Sequence, residues 1–215
     1  MFDGDPDPGA YRSSALNHPL DPFVPDSDIR ERHTTVVGAP ASIVFDTLQA
    51  FDMQSVPLIR ATIRLRQVFL GSTQTKRRPQ PFLQEALAMG WGVLASDAGR
   101  TLVMGAACQP WLADVRFSWV AAADFASYRE PNQVKIAWTL EVESLGPARA
   151  RLATETRAVA TDGEARRRFR RYWRWARFGI VAIRWTMLPA IRRQAERAWQ
   201  AQSWPQRGQG AGSRR

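Results

Sequence analysis

The chain has 215 residues, 45% of them hydrophobic and 23% charged, proportions that suit one medium-sized globular domain and exclude collagen-like, knottin-like and wholly disordered classes. Thirty basic against twenty acidic side chains leave a net charge of +10, and no apolar run approaches the roughly 20 residues needed to cross a bilayer. The single cysteine, Cys108, excludes an internal disulfide, a CxxC redox pair and a zinc knuckle.

Residues 1–30 hold five prolines, six aspartates and two arginines, a composition that cannot bury enough apolar area to offset chain entropy. They are expected to form a disordered or loosely draped acidic arm. The arm has neither a basic n-region nor an apolar h-region, so no secretory signal is expected and the location is read as cytoplasmic. Residues 202–215 carry three glycines and no apolar periodicity, which predicts a flexible tail. The folded unit is then 31–201, and a chain cut to 29–202 is expected to melt within a few degrees of the full one.

The stretch 31–38 is rich in β-branched residues, and Pro40 opens an apolar pattern at Ala41, Val44, Phe45, Leu48 and Phe51. That reads as strand then helix. A second helix is predicted from Ser55 and Pro57 to Leu65, and a short one from Phe82 to Met89. Two apolar runs joined by Asp97, Ala98 and Gly99 read as a hairpin. A strand at Val115–Val120 and a helical piece at Ala122–Arg129 follow.

Val134, Ile136, Trp138, Leu140 and Val142 alternate with polar or small residues, the period-two pattern of a half-buried strand. Gly146 and Pro147 turn the chain into a return strand over Arg151–Ala160. This centring puts Glu143 opposite Arg151 on the outer face and Thr154 and Thr156 among the inward residues. Thr161 and Glu164 have capping-box spacing ahead of a helix of nearly 40 residues. Phe169, Trp173, Ala176, Ile180, Met187 or Leu188, Ile191 and Ala195 share one stripe, with a break expected at Gly179 and a kink near Pro189.

Strands clustered in sequence favour hairpins over crossovers, so the order is α+β. The segment VVGAPASIVFDTLQAFD resembles the opening strand and helix of the START-like, or SRPBCC, superfamily of polyketide cyclases and lipid-transfer domains. The stretch from Lys135 to Ala198 resembles its last hairpin and closing helix. The resemblance covers about 31–200 and implies a helix-grip fold, a curved antiparallel sheet wrapped around a long C-terminal helix. It further implies a cavity for a small or medium hydrophobic molecule, such as a lipid, polyketide or isoprenoid, held by a carrier or sensor. An aromatase or cyclase is the alternative.

Few residues point to chemistry. His18 falls in the arm and His33 on an edge-like strand, so no triad is expected and no catalytic residue is assigned. Cys108 ends an apolar strand and reads as a core residue. No metal-ligand spacing, nucleotide motif or cofactor signature is present. GWGVLA at 90–95 has dinucleotide-motif spacing but follows a helix and precedes a strand, the reverse of the required context. Glu141 and Glu143 read as a solvated charge ladder. The pocket residues expected on the concave face are Leu102, Met104, Trp138, Leu140, Thr154, Thr156, Trp173 and Ile180, apolar walls with two hydroxyl handles.

Charge is concentrated at 164–197, where eleven arginines face two glutamates. Arg167, Arg170, Arg171 and Arg174, with Trp175 and Trp185 interleaved, form a candidate anion-binding patch. An anionic lipid surface is a candidate partner there and nucleic acid is disfavoured, as a further alternative to the plain reading of these arginines as a solvated outer face. Aspartates of the arm also offer an internal counter-charge.

Overall fold

The computed structural model describes residues 18–52 and 81–209, without the side chains of 180–184 or of residues after 203. The helix expected at Ser55–Leu65 and the expectations for 1–17 and 210–215 lie outside the described residues. Five strands, β1 (Ile29–Val37), β2 (Gly92–Asp97), β3 (Thr101–Cys108), β4 (Val134–Gly146) and β5 (Arg149–Ala160), form an antiparallel sheet in the order β1-β5-β4-β3-β2. Helices α1 (Ala41–Ala50), α2 (Phe82–Ala88), α3 (Ala122–Phe125) and α4 (Gly163–Gln209) complete the α+β architecture. Among the described residues, no helix is long and apolar enough to cross a membrane.

The β4–β5 hairpin has the register that alternation predicts: Glu143 lies opposite Arg151, and Trp138 opposite Thr156. Even-numbered residues of β3, β4 and β5 therefore share one face. On it Leu102, Met104, Leu140, Val142 and Leu152 pack against Val44 and Leu48 of α1 and Met187, Leu188 and Ile191 of α4. A second cluster joins Val134, Ala158 and Ala160 to Ala165 and Phe169 at the start of α4.

Several expectations give way at the ends of elements. Residues 115–120 form no strand; Ser118 alone makes a bridge, to Ala107. α3 spans four residues where eight were expected. The cap of α4 is Asp162 and not Thr161, since Asp162 Oδ1 accepts from the Ala165 amide at 2.7 Å. Thr161 is instead committed to Gln133. α4 runs unbroken through Gly179 and Pro189 and continues to Gln209, into the expected tail. At 1.5 Å per residue its 47 residues span about 70 Å.

The opposite face of the sheet corrects the expectation of a disordered arm as far as residues 18–28 are concerned. This strap lies along the sheet, with Leu20 and Val24 buried among Val103, Ala107, Phe125 and Ala137. These two, with the half-buried Phe23 edge-on to Phe125 at 6.3 Å, suffice because the sheet offers a second apolar surface for them. Gly105 keeps that surface low: a Cβ there would stand 2.7 Å from the Phe125 ring.

Beside the strap sits a buried charge cluster. Glu155, 0% exposed, meets Arg30 at 2.9 Å, Arg32 at 3.4 Å and Arg157 at 2.7 Å. Arg157, 2% exposed, also donates to Asp21 at 2.7 Å and to the Val24 carbonyl at 2.9 Å. His18 Nδ1 accepts the Leu20 amide, which leaves the proton on Nε2, 3.4 Å from Glu141 and 3.2 Å from Glu155. Those contacts are electrostatic, since Nε2 lacks hydrogen-bond geometry to either carboxylate. Glu141 is thus no solvated rung: its side chain is 21% exposed and accepts from Thr139 at 2.7 Å. Glu143 does face solvent, paired with Arg151 at 2.6 Å. Three carboxylates and three guanidiniums balance in this cluster, which is what allows it to be buried.

Lys135, 3% exposed on the same face, donates to the Phe125 and Ala126 carbonyls at 2.9 Å each. Burial, helped by the Arg129 charge, lowers its pKa from 10.5 to about 8. Below pH 8 the ammonium is charged in both folded and unfolded chains, and its burial costs stability in full. Between about 8 and 10.5 the folded chain sheds the proton first, so stability rises with pH. The difference in unfolding free energy between the wild type and Lys135→Met is expected to move in the wild type's favour from pH 8 to 10. A difference flat with pH would mean that the ammonium is solvated.

Candidate functional site

The face between sheet and α4 is not uniformly closed. At one end lies the cluster around Met104 and Leu152, at the other the cluster around Phe169, and both are buried. Between them runs a strip that is half-buried: Ile136 and Trp138 on β4, Thr156 on β5, and Glu31 and His33 on β1. The register assembles it row by row, Met104 beside Trp138 beside Thr156 beside Glu31, with His33 opposite Thr154 in the neighbouring row.

Trp138 is the aromatic floor of the strip. Its ring lies 5.2 Å from Phe82 of α2 and 5.8 Å from Trp91, the latter edge-on. Thr154 is buried and Thr156 half-buried, so a hydroxyl reaches the apolar surface at its polar margin. His33 Nε2 stands 3.6 Å from Glu31 Oε2, and both side chains are 22% exposed. Imidazole, carboxylate and two threonines thus rim one side of an aromatic floor.

Of the pocket residues expected from sequence, Leu102, Met104 and Leu140 are core, fully enclosed with α1 and the distal half of α4. Trp138 packs against that same cluster from a half-buried position. Trp173 belongs to the other cluster, 5.9 Å from Phe169. The Ile180 side chain lies outside the described residues. Cys108 is buried, and GWGVLA leads from a turn into β2, as its context predicts.

Glu31 and His33 are the site residues that sequence reading passed over. Their signal was parity: along β1 exposed and less exposed positions alternate, and Glu31, His33 and Thr35 share the side of the buried Val37. No group of three or more His, Cys, Asp or Glu side chains able to hold a metal occurs among the described residues.

The patch on α4 has a mixed environment. Arg167 and Arg168 both pair with Glu164, the latter at 2.9 Å. Arg170 lies 4.0 Å from Asp28, which Arg166 holds at 2.8 Å, so the strap supplies part of the expected counter-charge. Arg171 and Arg174 are exposed and meet no carboxylate among the described residues.

No family model matches the chain, and no curated protein matches it. Among solved structures it is similar to the Zhui aromatase/cyclase from a Streptomyces species, at 14% identity over 79% of this chain and 94% of that one, with a TM-score of 0.29. It is similar also to the di-domain ARO/CYC protein BexL, at 14% identity over 74% of this chain and 46% of that one, with a TM-score of 0.30. A hypothetical protein from Helicobacter pylori matches at 9% identity over 71% and 81%, with a TM-score of 0.30. Overlays of this quality fix neither the place nor the chemistry of a site.

Proposed function

We propose that the chain binds a small or medium hydrophobic molecule, of the lipid, polyketide or isoprenoid kind, against the half-buried strip between sheet and α4, as a carrier or sensor in a helix-grip arrangement. The observation that carries this reading is the strip itself. An aromatic floor at Trp138 meets hydroxyl and charged groups at Thr156, Glu31 and His33, flanked on both sides by closed core. Apolar surface with a few convergent polar groups is the usual make-up of a small-molecule site.

Native mass spectrometry of protein purified from its own host is expected to show a retained apolar molecule. A ligand at 100 times its Kd stabilises by about 2.7 kcal/mol, roughly 5–10 °C for a chain of this size. Replacing Thr156 with Val should weaken the binding of an oxygenated ligand. Empty protein, with no thermal shift across a lipid and polyketide panel, would sink the proposal.

An aromatase- or cyclase-like activity is the second reading, favoured by the His33–Glu31 pair. The Glu31 carboxylate lies 3.6 Å from the His33 imidazole, within the reach of an ion pair with the ring once it takes a proton. The carrier reading stands first because both groups sit partly in solvent on an edge strand, where that pairing is screened. Turnover of a polyketide thioester mimic that His33→Gln abolishes without loss of binding would reverse the order.

A further inference from the structure

The helix that closes the proposed ligand site presents a second surface to solvent. Its buried stripe runs through Ala165, Phe169, Met187, Leu188, Ile191 and Ala195. On a 100° per residue wheel the opposite side carries Arg167, Arg171, Arg174, Trp175, Phe178 and Trp185. The three aromatic rings are 72%, 63% and 71% exposed. Large apolar side chains gathered on one exposed face are a feature that a folded chain ordinarily hides.

We infer that this outer face of α4 is a docking surface for anionic lipid bilayers, on which the helix lies without crossing. Three observations converge on it. Trp175, Phe178 and Trp185 sit three and seven residues apart, on one side of the helix within about 15 Å along the axis, so that one plane receives all three. The arginines precede them: Arg171 and Arg174 have no carboxylate partner among the described residues. The segment 164–197 as a whole carries eleven arginines against two glutamates, a charge complementary to anionic headgroups.

Aromatic rings beside guanidiniums that meet no carboxylate among the described residues match the interfacial layer of a bilayer, where indole rings settle and cations meet phosphate. Single-stranded nucleic acid also stacks on aromatic rings, but in a charged groove that tracks the backbone. Here the rings project from the convex side of one helix.

The experiment is co-sedimentation of the full chain with vesicles of phosphatidylcholine alone or with 25% phosphatidylglycerol, at about 150 mM salt. Binding at least tenfold tighter to the anionic vesicles is expected. Arg171→Gln with Arg174→Gln should remove most of that preference. Trp175→Ser with Phe178→Ser should lower binding several-fold even when the charge is intact. Since all four side chains are exposed, each variant should keep the wild-type melting temperature, and one that does not is replaced by Trp185→Ser. Equal binding to both vesicle types, attraction confined to low salt, or a preference for duplex or single-stranded DNA over vesicles would each overturn the proposal. It does not depend on the ligand site, because the vesicle assay reads the apo protein.

Discussion

Replacing Arg157 with Leu is expected to destabilise the fold by roughly 3–5 kcal/mol, the range for removing one partner of a buried ion pair. Glu155, at 0% exposure, would keep Arg30 and Arg32, whose side chains are 57% and 43% exposed, and the His18 contact at 3.2 Å. Asp21 and the Val24 carbonyl would each lose a donor in the same step. Burial alone would push the Glu155 carboxyl up, but the Arg157 hydrogen bond and the neighbouring guanidinium charges outweigh it and hold it below its usual range. Its contribution is therefore present near neutrality and fades as pH falls through the acid range, and Arg157→Leu should weaken that acid sensitivity. Urea unfolding of Arg157→Leu and of a double variant with Glu155→Leu checks the mechanism. The double variant should recover part of the loss, since it removes the fully buried Glu155 carboxylate that the single variant leaves without Arg157. A loss under 1 kcal/mol in the single variant would mean that the cluster is solvated.

Alternation made the centre of this molecule legible and left its second face unread. On β4 and β5, strict period two tied every residue to a face once the turn was centred, and the 2.6 Å Glu143–Arg151 pair follows from that register. The same residues hold the signal that was missed. Ala137, Ala153 and Val159 occupy the face assigned to solvent, yet they are small or apolar, and Ala137 is fully buried. Arg157 and Glu155 lie on that face too, and their partners, Asp21, Arg30 and Arg32, come from a segment more than 120 residues away. No local pattern encodes such a pairing. His33 was legible in principle from its parity with Val37, but an edge strand with polar residues on both faces specifies its inward side weakly.

A chain beginning at Ile29 is expected to melt roughly 6–12 °C below the full one, contrary to what the composition of the first thirty residues implies. Leu20 is 0% exposed and Val24 1% exposed, and each buried side chain contributes about 1.5–3 kcal/mol of transfer free energy. Ordering the strap costs backbone entropy, so its net docking energy is smaller than its gross burial. Removing it has a second effect, however, because Arg157 loses two acceptors and the patch around Val103 and Ala107 is exposed to water. A net loss of about 3 kcal/mol corresponds to that shift at roughly 2–4 °C per kcal/mol for a chain of this length. Leu20→Ala separates the two contributions. It deletes apolar contact while leaving Asp21 and Val24 in place, and its cost, about 2–5 kcal/mol for a buried leucine, cannot exceed the docking energy of a strap that is free to detach. Calorimetry of both variants therefore measures the strap directly. If the truncated chain melts within two degrees of the full one, the strap is an ornament on the sheet and the buried charge cluster is balanced without it.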